Sequence, residues 1–239
     1  MTDKNTDRSL FLWLLLASML GPALGVPIRV AYLGDSYANK IWLEAGIEFL
    51  VLLAPASAVG VWLGKKVDLG PRLMRKLISR TTGYQKSTLS ILVPSIAISL
   101  AFGVPLAFGL GPGIPDSRPA EIFLGALGAG LTEEILFRLG LMTLFVWILR
   151  SIVRKQTFAN SSIIIGNILA AVLFAGAHLP PLNVAISGTA TLDLLIGIVL
   201  FNSLAGISMG WLYTRYGLIA AVLAHSLADV VGYAIPIMI

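Results

Sequence analysis

Cysteine is absent from this chain, and histidine occurs only twice, at positions 178 and 225. The first absence excludes a disulfide framework, a thiolate metal site and a cysteine nucleophile. Charge is scarce as well. Asp, Glu, Lys and Arg make up 12% of the 239 residues, about half the share usual in a soluble domain. Short alternating strands are missing too, which excludes a transmembrane barrel. What remains is 57% hydrophobic, in long continuous runs, with a mean hydropathy of +0.89. That composition is an all-α protein, a polytopic transmembrane helix bundle.

A pI near 9.6 would point to nucleic acid in a soluble chain. Here the basic residues sit in loops between apolar runs, where they mark the cytoplasmic side of a membrane protein. The partner they predict is a lipid bilayer and not nucleic acid.

A spanning helix needs about 20 apolar residues. About seven spans are predicted: Leu10–Val26, Ile41–Leu63, Thr88–Leu110, Ala120–Leu149, Ser161–Leu179, Leu192–Thr214 and Gly217–Ile239. The first is short and ends in small residues, as a signal peptide does. Its leading segment Met1–Arg8 balances two acids against two bases, which argues for a retained span. With seven spans, 13 of the 17 Lys and Arg residues fall on one side and 3 on the other. The three are Arg29, Lys40 and Arg118, and the seventeenth, Arg138, lies inside a span. This split predicts a cytoplasmic N-terminus and an outer C-terminus.

Pro71 opens a segment in which Leu73, Met74, Leu77 and Ile78 share one helical face and Arg72, Arg75, Lys76 and Arg80 lie elsewhere. It reads as a basic amphipathic helix on an anionic leaflet. The expected organisation is residues 1–118 as N-terminal helices with this basic loop, and residues 119–239 as a membrane core carrying the chemistry. No internal repeat is evident.

Glu133-Glu134-Ile-Leu-Phe-Arg138 places three ionisable groups in the fourth span. Charge at bilayer depth costs several kcal/mol per group, so such residues mark function by default. Glu134 and Arg138 are four apart and can pair as a structural ion pair. Glu133 is rotated by about 100° and left free to face a cavity. An unpaired carboxylate in a low dielectric is suited to exchange a proton near neutral pH. Phe174 and His178 are also four apart, on a span that Pro180-Pro181 terminates, and Gly176 and Ala177 leave room for close backbone approach. His225 and Asp229 repeat the spacing in the last span, where a carboxylate can fix the imidazole tautomer, share a metal or satisfy the ring N–H. Each set alone is explained by helix-to-helix polar contacts. Three such sets in lipid are explained most simply by one water-accessible cavity lined by three helices.

Glu-Glu-x-x-x-Arg, Phe-x-x-x-His and His-x-x-x-Asp, in this order within spans, resemble the motifs of the CPBP family, the CAAX-prenyl-protease and bacteriocin-processing (Abi) intramembrane proteases. Gly206-x-x-x-Gly210-Trp-Leu-Tyr-x-Arg-x-Gly217 is similar to what precedes the family's last motif. The resemblance covers about Ala120 to Gly232. It implies an intramembrane endopeptidase acting on a membrane-associated peptide or protein. Glu133 and His178 would activate water, His225 and Asp229 would hold the oxyanion, and Glu134, Arg138 and Phe174 would support them. Members are labelled metalloproteases, and a metal-free glutamate mechanism has also been argued. A zinc held by Glu133, His178 and His225 is therefore one expectation, although no His-Glu-x-x-His motif is present. Many members carry Asn where Asp229 stands. An ionised Asp cannot donate to an oxyanion, so Asp229 is protonated, orients His225, or belongs to a metal site. Other classes that use these residue types are a non-proteolytic scaffold or immunity protein and a proton-coupled transporter, the last without the inverted repeats or paired broken helices such folds show. The chain's composition fits a prokaryotic inner membrane.

One expectation conflicts with the rest. In straight, centred helices, Glu134 lies mid-span, while His178 sits about 12 Å toward the outer side and His225 about 4–5 Å toward the other.

Overall fold

A computed structural model describes residues 3–71, 74, 88–110, 118–179 and 191–238. Seven helices follow one another in these residues, with no strand among them. They are α1 (Asp3–Leu33), α2 (Asp35–Trp62), α3 (Thr88–Pro105, continued by Leu106–Leu110), α4 (Pro119–Ile152), α5 (Ala159–Ala177), α6 (Leu192–Tyr216) and α7 (Leu218–Met238). Six are long and apolar enough to cross a bilayer, and the seventh is also apolar. The expected seven-span helical bundle is therefore present. The basic amphipathic helix expected from Pro71 to Arg80 lies, apart from Pro71 and Met74, outside the described residues.

Helix α1 is nearly twice its expected length. Its first turns are polar but anchored, because Asp7 forms an ion pair with Lys65 at the end of α2. It also runs through Pro22 and Pro27, which membrane helices tolerate when neighbours take up the freed backbone groups. Many large apolar side chains point outward, among them Trp13, Leu50 and Leu89, each more than half exposed. In a bilayer these faces are solvated by lipid, and the bundle needs no apolar interior to drive its assembly.

Helix α4 is the pillar. Its first half packs on α1 and α7, and its second half on α2 and α5. Small residues set these distances. A Cβ on Gly128 would stand 2.7 Å from the Gly21 carbonyl oxygen and 2.8 Å from the Gly25 nitrogen, so the α1 and α4 backbones touch. Helices α5 and α6 meet likewise, with a Cβ on Gly206 falling 2.9 Å from that of Ala171. Among the described residues Gly176 has no such neighbour, and the close approach falls on the Gly206–Gly210 stripe.

Polar clamps fix the helix ends. Arg150 at the close of α4 donates to Ser162 Oγ (2.9 Å), the Val67 carbonyl (3.0 Å) and the Ala159 carbonyl (3.0 Å), tying α2, α4 and α5 at one level. Ser18 and Ser57 hydrogen-bond across α1 and α2 at 2.8 Å. The α6–α7 turn is a single glycine, Gly217, at φ +95°, where a side chain would be strained.

Gly128→Ala is expected to destabilise the bundle by about 1–3 kcal/mol through overpacking. Gly25→Ala, whose Cβ would meet nothing within 4 Å, is expected to cost nothing measurable. Equilibrium unfolding of the two variants in detergent checks the contrast.

Candidate active site

The site begins with a change of helix type. Helix α4 is α-helical through Glu133, widens to a π-helix over Glu134–Met142, and returns to α at Thr143. Such wide turns occur most often at functional sites. Thr143 Oγ1 holds the widened stretch by donating to the Arg138 carbonyl (3.2 Å), and it shares a 2.8 Å hydrogen bond with Tyr213 OH of α6. The two glutamates straddle the transition. Glu134 is fully buried, whereas Glu133 is 27% exposed at the cavity.

Arg138 and Glu134 form the pair that their spacing predicts, with Arg138 Nε 3.2 Å from Glu134 Oε2 and both side chains fully buried. The guanidinium carbon lies 4.7 Å from the centroid of the Phe174 ring. The other Glu134 oxygen, Oε1, accepts from His225 Nδ1 at 2.8 Å. This contact decides the orientation of His225. It turns Nε2 toward the cavity, to 3.7 Å from Glu133 Oε2 and 3.7 Å from Asp229 Oδ2. The carboxylate that hydrogen-bonds the His225 ring is therefore Glu134, on another helix.

His178 stands at the end of α5. Its Nδ1 is 2.8 Å from the Phe174 carbonyl. A carbonyl only accepts, so Nδ1 carries the proton and the neutral ring presents an Nε2 lone pair. That nitrogen is 3.8 Å from Glu133 Oε2. Glu133 Oε2 is itself buried and makes no hydrogen bond among the described residues. One acceptor oxygen thus sits between two imidazole nitrogens on different helices, each within reach of a single bridging water. Phe174 packs against the group, 4.6 Å from the His178 ring and 5.8 Å from that of His225.

The conflict of depths disappears once heights are measured from the ends that Arg150 ties together. Glu133 lies 19 residues before Ile152, and His178 lies 19 residues after Ala159. The error came from centring α4 in the bilayer. At 34 residues it is about 50 Å long, well beyond a hydrocarbon core of about 30 Å. His225 is reached differently. The Tyr213–Thr143 bond shows that α6 ends inside the span of α4. The α6–α7 turn at Gly217 is buried in the bundle. His225, on the α7 side of the turn, meets Glu134 at the level where Gly130 of α4 admits its neighbour Ser226.

These groups border a cavity of about 600 Å³. Six helices line it, not three: α2 contributes Glu48, α3 Phe102 and Leu106, and α6 a stripe from Asp193 to Met209. Glu48, Asp193 and Tyr233 are lining residues that the motif reading passed over. Glu48 carried a signal. It is an ionisable residue inside a predicted span, and the rule that marks Glu133 marks it equally.

Ligands of one tetrahedral zinc lie about 3.4 Å apart for bonds of about 2.1 Å. The Glu133–His178 and Glu133–His225 separations, 3.8 and 3.7 Å, are wider. Among the described residues no group of three or more His, Asp and Glu side chains is placed to hold a metal ion.

The family model described as type II CAAX prenyl endopeptidase Rce1-like matches residues 115–231. Residues 115–231 belong to the CPBP family. The match contains all three motifs of this family, and its apolar helices make the chain an integral membrane protein. No curated protein and no solved structure matches the chain.

Arg138→Met is expected to cost about 3–5 kcal/mol, because it strips a buried carboxylate of its counter-ion. The double variant with Glu134→Gln is expected to lose less than the two single variants added together. Unfolding of the four proteins of this cycle in detergent measures the coupling.

Proposed function

We propose that this CPBP protein is an intramembrane endopeptidase that hydrolyses a peptide bond with water activated by Glu133 and His178. CPBP membership supports the endopeptidase class. The observation that carries the mechanism is Glu133 Oε2, buried without a hydrogen bond between His178 Nε2 and His225 Nε2. A water placed there gives a proton to Glu133 while His178 Nε2 accepts its other hydrogen. Its oxygen adds to the carbonyl carbon. The carbonyl oxygen gains the charge and is met by His225 Nε2, which donates to it from the doubly protonated ring, since Nδ1–H is engaged by Glu134. Asp229 borders the same space. Collapse breaks the C–N bond, and Glu133 returns its proton to the leaving amine. The chain's own residues account for every proton, and no step runs through a metal.

The partial exposure of Glu133 weighs against the scaffold reading, which suits a cluster closed to water. The substrate is a membrane-associated peptide or protein. On the charge rule, the end of the bundle holding Arg29, Lys40 and Arg118 faces away from the cytoplasm, in keeping with a prokaryotic inner membrane.

Glu133→Gln is expected to lower peptide cleavage by at least about hundredfold with the fold retained. Mass spectrometry of new protein N-termini, in cells carrying wild type or this variant, reads the loss. An identical set of N-termini in both would sink the assignment. The purified enzyme is expected to keep its rate after dialysis against a zinc chelator.

Orientation is tested separately. The chain lacks cysteine, so Arg118→Cys introduces a single thiol. A membrane-impermeant maleimide is expected to label it from the outer face of intact cells.

A further inference from the structure

Resting on the endopeptidase reading, the substrate class can be narrowed from the way charge is distributed along the cavity. Contacts between neighbouring helices set the level of each wall relative to the catalytic groups. Glu44 pairs with Arg29, so Glu48, one turn on, lies level with Gly25 of α1. Gly25 in turn touches Gly128, five residues before Glu133. Glu48 therefore stands about 7 Å from the level of Glu133, toward the end where α2 and α4 begin. On the opposite wall Gly206 faces Ala171. His178 then falls level with position 199 of α6, six residues past Asp193, which places Asp193 about 9 Å toward the same end.

Two carboxylates thus face the same segment of the cavity from opposite walls. No Lys or Arg lines the cavity among the described residues; the nearby Arg29 pairs with Glu44 at 2.5 Å and also acts on Glu48 through space, from outside the cavity lining. Beyond His178 the α6 stripe continues for about 15 Å through Phe201 and Ala205 to the buried Met209. Apart from Asn202, whose amide is bonded to its own helix at the Ile198 carbonyl, the α6 side chains that line this stretch of the cavity are apolar, and Leu136 and Phe137 line it as well.

We propose that the enzyme selects a peptide with a cationic residue on one side of the scissile bond and an apolar residue on the other. An extended peptide advances about 3.3–3.6 Å per residue. The cation then lies two or three residues from the bond, between Glu48 and Asp193. The apolar side chain enters the inner half toward Ala205 and Met209.

The test is binding to the full-length Glu133→Gln protein in detergent, with short fluorescent apolar peptides in which one Lys is scanned through each position, and their Glu twins. At one position the Lys peptide is expected to bind at least about tenfold more tightly than its twin. That ratio is expected to fall several-fold in Glu48→Gln and in Asp193→Asn, and to invert in Asp193→Lys, an exposed position that tolerates exchange. Equal affinities at every position, or a preference that survives all three variants, would overturn the proposal. The wild-type protein is assayed for cleavage of the same peptides. Charge-selective binding without cleavage would overturn the endopeptidase reading and leave the selection standing.

Discussion

The site depends on one buried chain of contacts, from Arg138 through Glu134 to His225. Glu134 is fully enclosed and so is Arg138, at a depth where either alone would cost several kcal/mol. Each removes the other's isolation. Beside this ion pair the guanidinium makes no hydrogen bond among the described residues and rests on the ring of Phe174, a contact that strengthens when water is excluded. With one oxygen held by Arg138, Glu134 offers the other to His225 Nδ1. The tautomer and direction of the imidazole follow from that. Glu133 and Asp229 meet His225 because its Nε2 has been turned toward them.

The wide turn of α4 supports this chain. Glu133 ends the α-helical half and Glu134 opens the π-helical one, so two adjacent carboxylates diverge into different surroundings. One is sealed in the core and the other borders the cavity. Thr143 and Tyr213 stabilise the turn from below, and the same Tyr213 sets how deep α6 ends. One hydrogen bond thus links the widened turn of α4 to α6. Gly217 completes the arrangement, since a turn this tight and this buried leaves no space for a longer connection.

Much of this was legible in the residues. Hydropathy marked seven helices, and helical spacing separated Glu134 with Arg138 from Glu133. Two features were not. The π-helix leaves no mark in a pattern of apolar residues, because Ile135, Leu136 and Leu139 suit either helix type. Depth does not follow from hydropathy, because a helix as long as α4 need not be centred in the membrane. Heights become readable only when tertiary contacts such as those of Arg150 tie one helix end to another. Glu48 was missed for a different reason. It belongs to a helix without a motif, and attention to motifs hid a charge that the cost of burial alone would have flagged.

The glycine contacts explain why the N-terminal helices matter to a site made mostly by α4, α5 and α7. The α1–α4 contact at Gly128 fixes the pillar five residues before Glu133, on the face where a shift of a few tenths of an ångström would move the carboxylate. Gly130 performs the same service toward α7, where its missing side chain admits Ser226, the neighbour of His225. Glu133 and His225 are therefore spaced by backbone approach on either side of one helix turn. Lipid supplies no hydrophobic force to correct a misfit between helices. The geometry of the cluster has to be written into side-chain size, and the small residues flanking the glutamates are where it is written.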